Sequence, residues 1–311
     1  METPKKSTVG HRNPGIPLDL AWIKDTRVDV PAVERAAESF GAPGAITKDS
    51  RPSLLRAITV MDLTTLAADD THERVRRLCA KARQPLPAGV LQLLGLEAGD
   101  FQVAAVCIYH PFIKTAREEL HGTGIKVATV SADFPKGLAP IKERIAQIHS
   151  SVVAGADEID VVIKREHVLQ SNWQALYDEV AAFRAACGDK LMKVILGTGE
   201  LQTLDNIARA SLIAMMAGAD FIKTSTGKET INATLPAAIV MTRAIREYTE
   251  KTGRAIGFKP AGGIRTAAQA IEYLSVVKEE LGSRWLAPKL FRIGASSMLD
   301  DIERHLQQLA S

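Results

Sequence analysis

Two lysines end apolar, strand-like runs, and each is followed at once by a glycine-bearing turn: Gly218-Ala-Asp-Phe-Ile-Lys223-Thr-Ser-Thr-Gly-Lys228 and Ala255-Ile-Gly-Phe-Lys259-Pro-Ala-Gly-Gly-Ile-Arg265. An amine held beside a second cation loses proton affinity, and a neutral lysine is the nucleophile that attacks a carbonyl to form an imine. Either lysine alone reads as a surface side chain whose stem covers apolar neighbours. Two at the same end of neighbouring strands converge on one mouth and destabilise each other's charged form. Spacing leaves open which of the two attacks.

Two carboxylates stand in comparably apolar surroundings. Asp160 interrupts the run Asp157-Glu-Ile-Asp160-Val-Val-Ile163, and Asp62 lies in Val60-Met-Asp62-Leu-Thr64. A carboxylate there costs free energy unless paired, so each needs a cation or a held water, and either is placed for general acid/base work. The plainer reading of Asp62 is a structural ion pair. Asp157 and Glu158, at the start of the run, are expected to stay outside the site.

A third group of residues suits an anion. Gly227-Lys228, Gly262-Gly263 and Gly294-Ala-Ser296-Ser297 each follow a candidate strand. In β/α barrels the last strand-to-helix loops present backbone N–H groups to phosphate, and small residues let the backbone approach. Arg265 and Lys228 would add charge and the two serines hydroxyls. A tight turn with a solvated arginine is the plainer reading of any one of these loops; three together favour phosphate.

Cys107, within Val103-Ala-Ala-Val-Cys107, reads as a small buried hydrophobe. The seven histidines show neither H-x-H nor H-E-x-x-H spacing and no pairing with cysteine. A zinc-dependent mechanism lacks its ligands, and no metal or organic cofactor is expected.

The elements that must position these groups alternate along the chain. Short Val/Ile/Leu-rich runs at Ala57–Leu63, Val103–Tyr109, Lys126–Ser131, Glu158–Ile163, Met192–Leu196, Phe221–Thr224, Ile256–Lys259 and Phe291–Ile293 read as eight strands buried on both faces. Between them, helices are expected at Thr71–Arg83, Leu138–Ala154, Trp173–Cys187, Leu201–Ala217, Leu235–Thr252, Thr266–Leu281 and Met298–Leu309. Eight β/α units in series favour an α/β fold of the closed (β/α)8 TIM-barrel type over an open sheet. Residues 53–311 would form the barrel and residues 1–52 an extension packing on it, with a short helix at Pro31–Phe40 and Trp22 too apolar to leave exposed.

Composition bounds the function. A chain of 311 residues with 46% hydrophobic content suits one large domain with an extension. The net charge of +3, from 39 basic and 36 acidic residues, argues against nucleic acid and fits a few cations around a small anion. Three cysteines without a C-x-x-C pair point to a reducing, cytoplasmic setting. The first residues carry no apolar signal core, and no run approaches the length of a membrane span.

The motifs M-D-L-T-T-L (61–66), A-A-V-C-I-Y (104–109), D-E-I-D-V-V-I (157–163), G-T-G-E-L (197–201), D-F-I-K-T-S-T-G-K (220–228), G-F-K-P-A-G-G-I-R (257–265) and F-R-I-G-A-S-S (291–297) together resemble the deoxyribose-phosphate aldolases. The resemblance spans residues 55 to 305, and the arm with L-D-L-A-W-I looks like that of the longer, animal-type members. It implies a class I aldolase on a β/α barrel, cleaving 2-deoxy-D-ribose 5-phosphate to acetaldehyde and D-glyceraldehyde 3-phosphate without a cofactor. By the same resemblance Lys223 forms the imine, Lys259 depresses its proton affinity, and Asp160 relays protons through a water. Asp62, Thr64 and Thr226 would lie near the sugar hydroxyls. Gly227, Lys228, Gly262, Gly263, Arg265, Gly294, Ser296 and Ser297 would hold the phosphate. A homodimer is common in such a family.

Two departures stand out. No tyrosine follows Tyr273, whereas many short members carry a C-terminal tyrosine that assists proton transfer, and Gly197 stands where bacterial relatives often have Glu. The rival readings are another imine-forming barrel, such as a transaldolase, and a catalytically silent sugar-phosphate sensor or scaffold.

Overall fold

A computed structural model describes residues 12–310 apart from 42, 43, 45, 98 and 100. Residues 1–11 of the expected extension, His11 among them, and Ser311 lie outside the described residues.

Eight strands form one parallel sheet: β1 Met61–Thr64, β2 Ala105–Ile108, β3 Lys126–Ser131, β4 Glu158–Val162, β5 Leu191–Ile195, β6 Phe221–Lys223, β7 Gly257–Lys259 and β8 Ile293–Ala295. They lie in sequence order from β1 to β7, with β8 beside β1. Parallel bridges from Phe258 to Phe291 and from Ala261 to Gly294 join β7 to β8. Three backbone bonds complete that seam: Phe258 to Leu290, Arg292 to Phe258 and Gly294 to Pro260, at 2.9, 3.0 and 2.9 Å. The molecule is a TIM barrel.

Helices ring the strands. Thr71, Asn172, Thr203, Thr234 and Thr266 cap five of them by accepting a first-turn N–H, each bond contributing about 1 kcal/mol. Strand boundaries moved at several places: β8 runs Ile293–Ala295 where Phe291–Ile293 was expected, and the largest displacement is at β1. Residues 57–59 end the helix Arg51–Thr59, and β1 begins only at Met61. Leu54, Ala57 and Ile58 are buried at helical spacing, but the unbroken apolar run through Leu63 hides that period from the sequence. The same helix crosses the expected boundary at 52/53. Shorter helices at Ala88–Leu94, Ile113–Glu119 and Arg165–Leu169 join those read from the sequence.

Ahead of that helix, the chain runs along the outside of the barrel. The Asn13 amide donates to Met215 and Ala219 carbonyls at 2.8 and 2.9 Å. Helix Leu20–Asp25 buries Trp22 and Ile23, with the Trp22 indole donating to Glu247. Helix Val30–Phe40 lies against helix Leu235–Thr252 and buries Val33 and Ala37.

The barrel interior is divided. Ala105, Cys107, Ala128 and Val130 fill the side of β2 and β3 with a small apolar cluster, joined by Leu66, Tyr109 and Phe134. Opposite it lies charge.

Candidate active site

Register sets the geometry. Lys223 of β6 is level with Ile195 of β5 and with Lys259 of β7. Asp160 of β4 is level with Lys193 of β5, and Asp62 of β1 with Gly294 of β8. Side chains at matched positions of parallel strands share a face, so these groups enter one interior.

They meet in a single ion network. Asp160 Oδ2 accepts from Lys223 and Lys259, each at 2.8 Å, and Oδ1 accepts from Lys193 at 2.8 Å. Asp62 accepts from Lys259 at 2.5 Å and from Arg292 at 2.6 Å, with Lys193 3.5 Å away. Glu158 takes Lys193 at 2.6 Å and both guanidinium nitrogens of Arg292, at 2.7 and 3.1 Å. The network therefore holds three carboxylates and four cations, all buried.

One positive charge is in surplus. Lys193, Lys259 and Arg292 each reach at least two carboxylates, whereas Lys223 reaches one oxygen, which it shares with Lys259. Lys223 is also the most open of the three lysines, with 3% of its side chain exposed against 0% for Lys193 and 1% for Lys259.

Proton affinities follow from that difference. Burial disfavours the charged form of Lys223, the Lys259 ammonium adds to this, and Asp160 opposes both without overcoming them, so its pKa is lowered. Burial also works against charge on Lys259 and Lys193, but their carboxylates outweigh it and raise both. Asp160 is held well below the usual carboxylate range, because Lys193, Lys223 and Lys259 overcome the burial that would push it up. Asp62 and Glu158 are lowered on the same balance, by Lys259 and Arg292 for the first and by Arg292 and Lys193 for the second. Burial pushes the Cys107 thiol up.

Glu158 therefore corrects the sequence expectation that it stays outside the site. Asp157 does remain at the barrel's edge, where it pairs with Arg117 at 3.2 Å. Lys193 and Arg292 belong to the same network although the motifs did not single them out. The available signal was a charge flanked by apolar residues within a strand, together with the two-residue spacing that puts Glu158 and Asp160 on one face.

Above the network stand the loops. Gly262 and Gly263 have φ of 85° and 79°, and a Cβ on Gly262 would meet the Asn232 side chain at 2.6 Å, so both positions require glycine. Gly294 is needed for room: a Cβ there would lie 2.8 Å from that of Ala261 and 3.2 Å from Lys259 Cε. Its N–H is spent on Pro260. Ser296 and Ser297 are exposed just ahead of helix Met298–Ala310, and Lys228 and Arg265 are exposed on their loops. Thr64 donates to the Asp62 carbonyl at 2.8 Å and is half-buried. The Thr226, Gly227 and Lys228 N–H groups all turn to the carboxylate of Glu229, which the sequence had not flagged.

Three buried hydroxyls, of Ser131, Thr198 and Ser225, have no partner among the described residues and stand at or just beyond the C-terminal ends of β3, β5 and β6. No helix of the described residues is long and apolar enough to cross a membrane.

Known proteins are similar to this chain, some in sequence and some in fold. The chain is 52% identical to human deoxyribose-phosphate aldolase over 297 residues, covering 94% of this chain and 93% of that protein. The mouse deoxyribose-phosphate aldolase is also 52% identical, over the same shares of each chain. Among solved structures, the tetrameric deoxyribose phosphate aldolase of Aeropyrum pernix has a TM-score of 0.60 at 20% identity, covering 86% of this chain and all of that one. The aldolase QR15 has a TM-score of 0.64 at 23% identity, over 81% of this chain and 96% of its own. The model of the DeoC/LacD family aldolases matches residues 56–301, and with a buried lysine of lowered proton affinity at the mouth of a β/α barrel, the chain belongs to that aldolase family.

Proposed function

We propose that this aldolase reversibly cleaves 2-deoxy-D-ribose 5-phosphate to acetaldehyde and D-glyceraldehyde 3-phosphate through an imine on Lys223. The observation that carries the reading is the charge imbalance of the interior. With Lys223 neutral, three cations face three carboxylates, so the nucleophilic form of the lysine is also the balanced one.

Neutral Lys223 attacks the open-chain aldehyde at C1 to give a carbinolamine, and loss of water with uptake of one proton from solvent gives a protonated imine. Its positive charge returns beside Asp160 Oδ2, where the amine nitrogen already lies at 2.8 Å. A water held by Asp160 takes the proton from the C3 hydroxyl as the C2–C3 bond breaks, and the electron pair flows into the iminium to give an enamine. Lys193, Lys223 and Lys259 hold Asp160 well below the usual carboxylate range against the burial that would raise it, which favours passing the proton on through the water. Protonation of the enamine carbon and hydrolysis release acetaldehyde and regenerate the amine.

Lys259 stays charged, held by Asp62 and Asp160, and depresses the proton affinity of Lys223. Thr64, Thr226 and Asp62 would lie near the sugar hydroxyls, with Asp62 also holding Lys259. Gly262, Gly263, Ser296 and Ser297 would receive the phosphate, with Arg265 and Lys228 supplying charge and Gly227 and Gly294 the backbone shape. Residues 53–311 are the catalytic domain in this reading and residues 1–52 its flanking arm. A homodimer, and a place in cytoplasmic deoxynucleoside breakdown, belong to the same reading.

The test is product analysis with the purified chain. Deoxyribose 5-phosphate should yield equimolar acetaldehyde and glyceraldehyde 3-phosphate, with unphosphorylated deoxyribose reacting far more slowly because it lacks the remote binding energy. Cleavage that requires a dihydroxyacetone-type donor, or equal rates for the two sugars, would contradict the assignment.

A further inference from the structure

The loop after β6 already carries an anion of its own. Glu229 folds back over Thr226–Lys228: both of its oxygens lie 3.0 Å from the Thr226 nitrogen, and Oε2 also accepts from Thr226 Oγ1 at 2.7 Å. Gly227 and Lys228 donate their N–H groups to the same Oε2 at 3.1 and 3.2 Å. The carboxylate is only 2% exposed. These are the backbone donors of the loop that carries Lys228, which on the proposed function supplies charge to the sugar's phosphate.

The carboxylate has a second partner on its far side. Arg165, from the helix that follows β4, donates to Glu229 Oε1 at 3.4 Å and to the carbonyls of Pro135 and Lys136, and its guanidinium forms an ion pair with Glu200 at 2.8 Å. It crosses the space over Gly197, where a Cβ would sit 2.7 Å from its Nε. Meanwhile the Lys228 and Arg265 side chains have no carboxylate partner among the described residues.

We propose that Glu229 is a specificity-determining residue: its carboxylate occupies the backbone donors at 226–228 in the free enzyme and yields them only to a phosphate dianion. The proposal rests on the phosphate-bearing substrate named above. An N–H directed at one oxygen is not available to a second acceptor, so any ligand for this loop competes with a built-in monoanion. A phosphate brings more charge and three acceptor oxygens, and it gains Lys228 and Arg265 as the carboxylate does not. Arg165 receives the displaced carboxylate. A neutral hydroxyl at the sugar's end has no such advantage and leaves the loop closed on Glu229.

Competition and simple bracing predict opposite signs. Glu229→Gln and Glu229→Ala are compared with the unmodified chain by calorimetric titration with inorganic phosphate, thermal denaturation serving to confirm that both are folded. Removing the charge should tighten phosphate binding about tenfold, the scale of one charge-assisted hydrogen bond. KM for the phosphorylated sugar should fall with little change in kcat, and the ratio of kcat/KM between phosphorylated and unphosphorylated sugar should rise. Unchanged or weaker phosphate binding in both variants, or no binding in any of the three proteins, overturns the proposal, since Glu229 would then only shape the loop. Phosphate affinity is read without turnover, so an absence of deoxyribose 5-phosphate cleavage counts against the proposed function and leaves this result interpretable.

Discussion

Arg292, deep in the barrel, reaches Asp62 and both oxygens of Glu158, whereas Lys228 and Arg265 at the mouth reach no carboxylate among the described residues. The same kinds of side chain are thus used in two ways a few residues apart along β/α units. Interior charges are spent on one another, which costs desolvation and returns fixed geometry and shifted proton affinities. Charges at the mouth stay solvated and free to meet a ligand. Lys223 stands between the two regimes, buried like the first set and under-compensated like the second.

The largest test of that contrast is Asp160→Asn. The change removes the one carboxylate touched by three lysines and leaves four cations facing two carboxylates. Turnover should fall about 10²–10⁴-fold, as expected on loss of a proton-transfer group. Urea unfolding should show a loss of about 3–5 kcal/mol, the usual consequence of breaking a buried ion pair on one side. Retention of near-normal turnover would show that Asp160 only holds the barrel together.

Lys259→Met probes the coupling between the two lysines through pH. Imine formation needs the neutral amine, so the rate rises as pH climbs through the pKa of Lys223, which lies below the ordinary lysine value of 10.5. Removing Lys259 deletes a like charge that lowers this pKa and leaves Asp160 with one cation fewer to hold. Both changes raise it, and the ascending limb of kcat/KM against pH should move to higher pH, with less activity at neutrality. An unmoved limb would remove Lys259 from the account.

Arg292→Met separates stability from chemistry. It takes one cation from each of Asp62 and Glu158, which keep Lys259 and Lys193, so a loss of up to about 3–5 kcal/mol is expected in equilibrium unfolding, with a smaller effect on kcat than Asp160→Asn. Arg265→Met should do the reverse and give the smallest effect. Its stability should stay within about 0.5 kcal/mol, while KM for the phosphorylated sugar rises about tenfold, the equivalent of one charge-assisted bond.

What the sequence revealed follows the same division. Lys223 and Lys259 could be picked out because each ends an apolar strand next to a glycine turn, and the loops because small residues cluster there. The pairing inside the barrel could not be read, since Lys259 meets Asp62 across 197 residues of sequence and Arg292 meets Glu158 across 134. No local pattern encodes such partners; only strand order and register do. Glu158 looked peripheral because it opens its strand, yet barrel closure turned that end inward against Arg292. The helix at Arg51–Thr59 was obscured by an apolar run with no visible period, and Glu229 resembled any solvated charge until the turn at Gly227, with φ of 86°, brought its carboxylate back over the loop.

The interior is balanced only when Lys223 gives up its proton, and on the proposed function that lysine is the nucleophile. Borohydride reduction in the presence of deoxyribose 5-phosphate, followed by peptide mass spectrometry, tests it most directly. A reduced adduct is expected on the peptide carrying Lys223, and it should be lost in Lys223→Arg. An adduct on Lys259 or Lys193, or none at all, would contradict it.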